Sequence, residues 1–302
     1  MSDSPVKSFF PFKKILALLS VVLICGVVVI GIFSTKMLYK HRLGGPNPFP
    51  HDLFANFQVK NGAGQIIQAW WATGSVDLGA VLLCHGHGVD HTDFAGMVPF
   101  LRAASLSLLL LDFRAHGQSE GKYTSIGLVE WDDLKCVIEE SERRGFLASG
   151  TRLAAYGRSM GATTLINGAG HLPRIAAFVL ESPFAELRLI AARDLKSVFR
   201  IPDNPLIDVV FKLAEWWTGI PYLQNRPVDA IHEIGSRPAL LIHDELDGRA
   251  TRPDHDRLVA SLPGARTMVV PGAGHVGGHG RIPDVFERDF LGFLASASIL
   301  TR

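Results

Sequence analysis

The chain has 302 residues, enough for one large domain with a well-buried core plus appendages. Thirty Lys and Arg against 29 Asp and Glu leave a net charge of +1, and no long basic block breaks the balance, which argues against a nucleic-acid partner. The three cysteines, Cys25, Cys84 and Cys136, form no C-x-x-C pair, so neither a disulfide framework nor structural zinc is expected, and Cys84 reads as a small buried hydrophobe.

After a short tail at 1–14, residues 15–33 form a run of nineteen without a charge. As a helix it would be roughly 28 Å long, close to the hydrocarbon thickness of a bilayer, so a single-pass N-terminal transmembrane helix is predicted. The rival is a cleaved signal peptide, against which Ile32-Phe33-Ser34-Thr35 offers no small-x-small cleavage site. Lys7, Lys13 and Lys14 precede the run while Lys36, Lys40 and Arg42 follow it, so the positive-inside count is tied. Lys13 and Lys14 abut the run and lean towards a cytoplasmic N-terminus, but the side of the membrane that holds the domain stays open. Residues 34–50, rich in Pro and Gly from 44 onwards, suit a linker.

From residue 51 to 302, apolar strand patterns at 66–72, 80–84, 106–111, 153–156, 176–180, 239–242 and 267–270 alternate with helical ones. Several strands are continuously apolar, as parallel strands covered on both faces must be, and the alternation predicts a mainly parallel doubly wound sheet. The clearest helix is 128–144, where Leu128, Trp131, Leu134, Val137 and Ile138 make an apolar face among acidic residues. Residues 184–236 interrupt the rhythm with about fifty mostly helical residues, read here as a helical cap insertion. An outer helix with a long connection is the competing reading of that stretch.

Two segments share the pattern G-x-S-x-G. Gly157-Arg158-Ser159-Met160-Gly161 follows a strand directly and opens a helix-compatible stretch, whereas Gly117-Gln118-Ser119-Glu120-Gly121 lies several residues beyond a strand and leads into Lys122-Tyr123-Thr124. A serine on a tight strand-to-helix turn is exposed beyond the sheet edge, and small neighbours at 157 and 161 let strand and helix approach. The helix that follows aims its unpaired N–H groups at the point where an oxyanion would form. Context therefore selects Ser159 over Ser119.

A serine hydroxyl needs a base, and the base needs an acid that fixes its tautomer. The strand at 239–242 runs into His243-Asp244-Glu245-Leu246-Asp247, and the strand at 267–270 into Pro271-Gly272-Ala273-Gly274-His275. Both loops lie past the carboxyl ends of strands, where open α/β sheets build their sites.

These segments resemble the α/β-hydrolase superfamily, and within it the membrane-anchored Bem46-like and ABHD-type serine hydrolases. The resemblance covers most of 51–295 and is carried by Leu83-Cys84-His85-Gly86-His87-Gly88, by 111–121, by 157–161, by Glu181-Ser182-Pro183-Phe184 and by the acid and histidine loops. It implies Ser159 as nucleophile, Asp247 as the orienting acid and His275 as general base, with the backbone N–H groups of Met160 and His87 as oxyanion donors and Gly88 as the neighbouring alternative to His87. The family pattern His-Gly-x-x-Asp with a following Val-Pro is altered to His243-Asp244-Glu245-Leu246-Asp247-Gly248-Arg249, which keeps Asp244 open as a second acid. His279 competes with His275.

The expected activity is ester hydrolysis through an acyl-enzyme on Ser159, of the carboxylesterase or lipase kind. No cofactor or metal is implied; the partners are an ester or lipid substrate and the membrane held by the N-terminal helix. A serine peptidase of the same fold and a non-catalytic binding member are the alternatives. His85, His87 and His91 have metal-like spacing but sit in a Gly-rich loop, and Asp112 with Arg114 reads as a structural pair beneath the site. No G-x-G-x-x-G or P-loop supports nucleotide chemistry.

Overall fold

The computed structural model describes residues 49–300 apart from Val76, together with Ala17, Ser20 and Gly31 in isolation. The predicted span at 15–33, those three positions aside, and the linker up to residue 48 lie outside the described residues; among the described residues no helix is long and apolar enough to cross a membrane.

Eight described strands, β1 (Ala55–Lys60), β2 (Ile66–Ala72), β3 (Ala80–Cys84), β4 (Ser107–Leu111), β5 (Leu153–Arg158), β6 (Ile175–Glu181), β7 (Ala239–Asp244) and β8 (Arg266–Val270), form one sheet in the order β1-β2-β4-β3-β5-β6-β7-β8. Pairing is antiparallel for β1–β2 and β2–β4 and parallel across the rest. β1 gave no apolar signal in the sequence because Asn56, Gln58 and Lys60 alternate with the buried Phe57 at the sheet edge. β5 and β7 run two residues past their apolar patterns, since Arg158 still pairs with Glu181 and Asp244 with Val270.

Side chains alternate across the central strands, so Leu82 and Leu109 enter one core while Val81, Leu83 and Leu110 enter the other. The first core is closed by α2 (Trp131–Arg143) and α3 (Met160–Asn167), the second by α1 (Val98–Ala103) and by the phenylalanines 286, 290 and 293 that follow α8 (Gly278–Arg281) along α9 (Pro283–Ser296). The helix predicted at 128–144 starts only at Trp131. Glu130 is fully buried and its carboxylate accepts the N–H groups of Ser125 and Gly127, with Gly127 at φ 95°, so the preceding residues are committed to a turn.

Between β6 and β7 lie α4 (Leu187–Phe199), α5 (Leu206–Thr218) and α6 (Pro227–Ala230). Phe184, Leu187, Ile190, Ala214, Tyr222 and Ala250 form a small core of their own there. The remaining helix, α7 (Arg252–Ser261), opens after β7 with a reciprocal cap between Thr251 and Asp254.

Candidate active site

Ser159 sits between β5 and α3 with φ 50° and ψ −111°, a conformation that costs a non-glycine residue of order 1–3 kcal/mol and must be held by its surroundings. Its flanking glycines show how close those surroundings are. A Cβ on Gly161 would lie 2.0 Å from the Cys84 carbonyl oxygen, and one on Gly157 would lie 2.5 Å from the Ala162 nitrogen. Any side chain at either position would push α3 away from β3 and β5 and release the turn.

The Ser159 hydroxyl donates to His275 Nε2 at 2.8 Å, and His275 Nδ1 donates to Asp247 Oδ2 at 2.7 Å. An ionised carboxylate can only accept, which places the ring proton on Nδ1 and leaves Nε2 ready to take the serine proton. Burial alone would push the Asp247 carboxyl up. The hydrogen bond and charge of His275, joined by the N–H of Arg249, outweigh it and hold the group below its ordinary range. Asp247 Oδ1 accepts the N–H groups of Arg249 at 2.8 Å and Ala250 at 3.0 Å, so the altered loop Gly248-Arg249-Ala250 still fixes the carboxylate.

Asp244, the other acid, is fully buried and does not reach His275. Its Oδ2 accepts the Ser182 hydroxyl at 2.8 Å, and burial, with the Glu181 and Asp247 charges beside it, raises its pKa to about 7. Glu181 in turn accepts the Tyr156 hydroxyl and the Gly278 N–H, and Arg158 lies between Tyr156, Glu181 and Asp93. This buried network braces the floor under the histidine loop. Nothing in the sequence singles out Tyr156 and Arg158 for this role, because a tyrosine and an arginine at the end of an apolar strand carry no signal of their own.

The other sequence candidates fall elsewhere. His279 bonds Glu287 at 2.9 Å and stacks on Phe100. His85 accepts the Phe113 N–H, and His91 bonds Asp112 at 2.8 Å beneath the Trp70 ring, so His85, His87 and His91 do not converge on one point. Asp112 and Arg114 do not pair as expected: Asp112 takes His91 and the Gln118 N–H, while Arg114 forks onto Asp133 and reaches Asp132. Asp90, His91 and Asp112 lie close enough together to hold a cation, but Asp90 is engaged by Thr92 and Asp112 by His91 and Gln118. Ser119 is fully buried, accepting the Gln68 N–H and donating to the Asp112 carbonyl.

Ser159 and His275 open into a cavity whose wall also includes Met160 and His87. Met160 begins α3, so its N–H has no carbonyl partner one turn back within the helix. The rest of the wall is apolar and comes mostly from α4 and α5, through Leu187, Ile190, Leu195, Phe199, Ile207 and Phe211, joined by Ile126 from the turn before α2. Asp194 and Arg249 interrupt it as an ion pair at 3.0 Å.

The sheet order, the strained serine turn and the serine–histidine–aspartate chain define the α/β-hydrolase fold. A family described as serine aminopeptidase, S33, matches residues 77–208. The chain is similar to YqkD of Bacillus subtilis, 26% identical over 279 residues covering 85% of this chain and 89% of that one, and to YfhR of Escherichia coli K12, 26% identical over 304 residues covering 97% of each. Among solved structures, the Pyrococcus furiosus esterase Pf2001 superposes with a TM-score of 0.70 at 23% identity, over 86% of this chain and 98% of that one. A hydrolase from Pseudomonas aeruginosa does so at 0.56 and 20%, over 79% and 98%.

Proposed function

We propose that the protein is a serine hydrolase that cleaves a carboxylic ester with a long apolar acyl or alcohol part. The observation that carries the reading is the hydrogen-bonded chain Ser159–His275–Asp247 opening onto a mostly apolar cavity. In the proposed cycle Ser159 Oγ attacks the ester carbonyl as its proton passes to His275 Nε2. The N–H groups of Met160 and His87 hold the oxyanion, and His275 returns the proton to the departing alcohol. Water, deprotonated by His275, then attacks the acyl-serine, releasing the acid and restoring Ser159. The Bem46-like kinship and an N-terminal membrane anchor at 15–33 are parts of the same proposal.

A peptidase reading is favoured by the description of the matching family. Binding a peptide amine calls for an uncompensated carboxylate, and Asp194, the acid facing the cavity, is already paired with Arg249. The ester reading therefore stands first. Its test is labelling of the full chain by a fluorophosphonate, expected in wild type and absent in Ser159→Ala, followed by turnover of p-nitrophenyl esters of increasing chain length against aminoacyl p-nitroanilides. Rising kcat/KM with acyl length supports it; turnover of the anilides alone would replace it with the peptidase.

A further inference from the structure

We propose that the outer face of the α4–α5 cap docks onto a lipid bilayer and sets the mouth of the cavity against it. Helix α5 is apolar over most of its circumference, with Asp208, Lys212 and Glu215 gathered on one side. Ile207, Val210, Phe211 and Ala214 face the cavity, while Leu206, Val209, Leu213 and Trp216, at the spacing of one continuous stripe, are exposed, with Trp217 beside them. Trp216 is 80% exposed and Trp217 58%, an exposure that costs most for the largest apolar side chains. A helix apolar on both faces is expected inside a core or against a membrane, and exposed tryptophans suit the headgroup layer of a bilayer. The end of α4 adds exposed Val198 and Phe199 to the same cap.

Charge and tether both select a bilayer as the occupant. The acids of the region are matched, Asp203 and Asp208 by Arg188 and Glu215 by Lys212, whereas Lys196 and Arg200 stand exposed with no acidic partner among the described residues. The cap therefore presents apolar surface flanked by unmatched cations, complementary to anionic headgroups. Phe49, where the described domain begins, packs 4.9 Å from His91, which is bonded to Asp112 just past the carboxyl end of β4. The chain thus enters at the sheet edge that carries the cap. Fifteen residues separate Phe33 from Phe49, a reach of at most roughly 55 Å from a span at 15–33. Docking uses that span as its tether and does not depend on hydrolysis.

All five tryptophans lie in the domain, at 70, 71, 131, 216 and 217, and none in residues 15–33, so emission reports the cap without interference from the anchor. The full chain reconstituted in phosphatidylcholine–phosphatidylserine vesicles is expected to lose, with brominated lipid, the emission share of two tryptophans in five. The variant Trp216→Phe/Trp217→Phe should lose none, because Trp70 and Trp71 are buried and Trp131 stacks on His171. Ser159→Ala should be quenched as wild type, which separates a failure of docking from a failure of the hydrolase reading. Equal emission with brominated and ordinary lipid would overturn the proposal. So would pairing of the detergent-solubilised chain that is lost in the double variant while no quenching is seen, which would assign the face to a second copy.

Discussion

The two G-x-S-x-G segments share a pattern and no chemistry. Ser159 stands at the junction of β5 and α3 at φ 50°, its hydroxyl turned to His275, while Ser119 is fully buried in a loop after β4, where its hydroxyl bonds backbone atoms of Gln68 and Asp112. The difference lies in what the glycines do. Gly157 and Gly161 admit backbone from the following helix and from β3, whereas Gly117 and Gly121 adopt φ 45° and 112° to wrap a loop around Asp112 and Arg114. Spacing of residue types is thus a weak guide until the element on each side is known.

Removing each hydroxyl sharpens the contrast most. Ser159→Ala is expected to lower kcat by about 10⁶-fold if the relay acts as a unit, with the melting temperature unchanged. Ser119→Ala should leave kcat/KM within a few-fold and cost about 1–3 kcal/mol in urea unfolding, because the buried Gln68 N–H loses its acceptor. Comparable activity losses in both would mean the buried loop shapes the site more than its geometry indicates.

The acid loop gives the next largest effect. Asp247→Asn should lower turnover by roughly 10⁴-fold by favouring the wrong histidine tautomer, while Asp244→Asn should leave it within a few-fold, as Asp244 does not touch His275. Full activity in Asp247→Asn would remove Asp247 from the relay. Gly161→Ala comes next: the added methyl meets the Cys84 carbonyl at 2.0 Å, and a loss of about 3 kcal/mol in unfolding free energy is expected.

Much of the parallel sheet was legible because strands buried on both faces are continuously apolar, and the order of the serine, acid and histidine loops could be read because each follows such a strand. β1 could not be read, since one edge strand with a single wet face alternates like a loop. The start of α2 was misplaced because Glu130, an acid in an amphipathic stretch, folds back onto its own turn. Asp112 and Arg114 were paired by proximity in sequence, whereas Arg114 finds Asp133 on α2, a contact only the tertiary fold creates. The network of Tyr156, Arg158, Glu181 and Asp244 left no trace for the same reason: its members come from the ends of three different strands.

That network supplies the smallest effect, one of stability and not of turnover. Asp244 has a pKa raised to about 7 by burial, with Glu181 and Asp247 nearby, while an unfolded aspartate titrates near 4. Between those values the folded protein binds the extra proton, so the wild type loses stability as pH rises from about 4 to 7. Asparagine keeps an acceptor for the Ser182 hydroxyl and never ionises. Asp244→Asn should therefore gain on wild type as pH rises from about 4 to 7, and even about 1 kcal/mol of that linkage moves Tm by roughly 2–4 °C for a domain of this size. Parallel melting curves for the two proteins across that range would remove Asp244 as the source of the linkage.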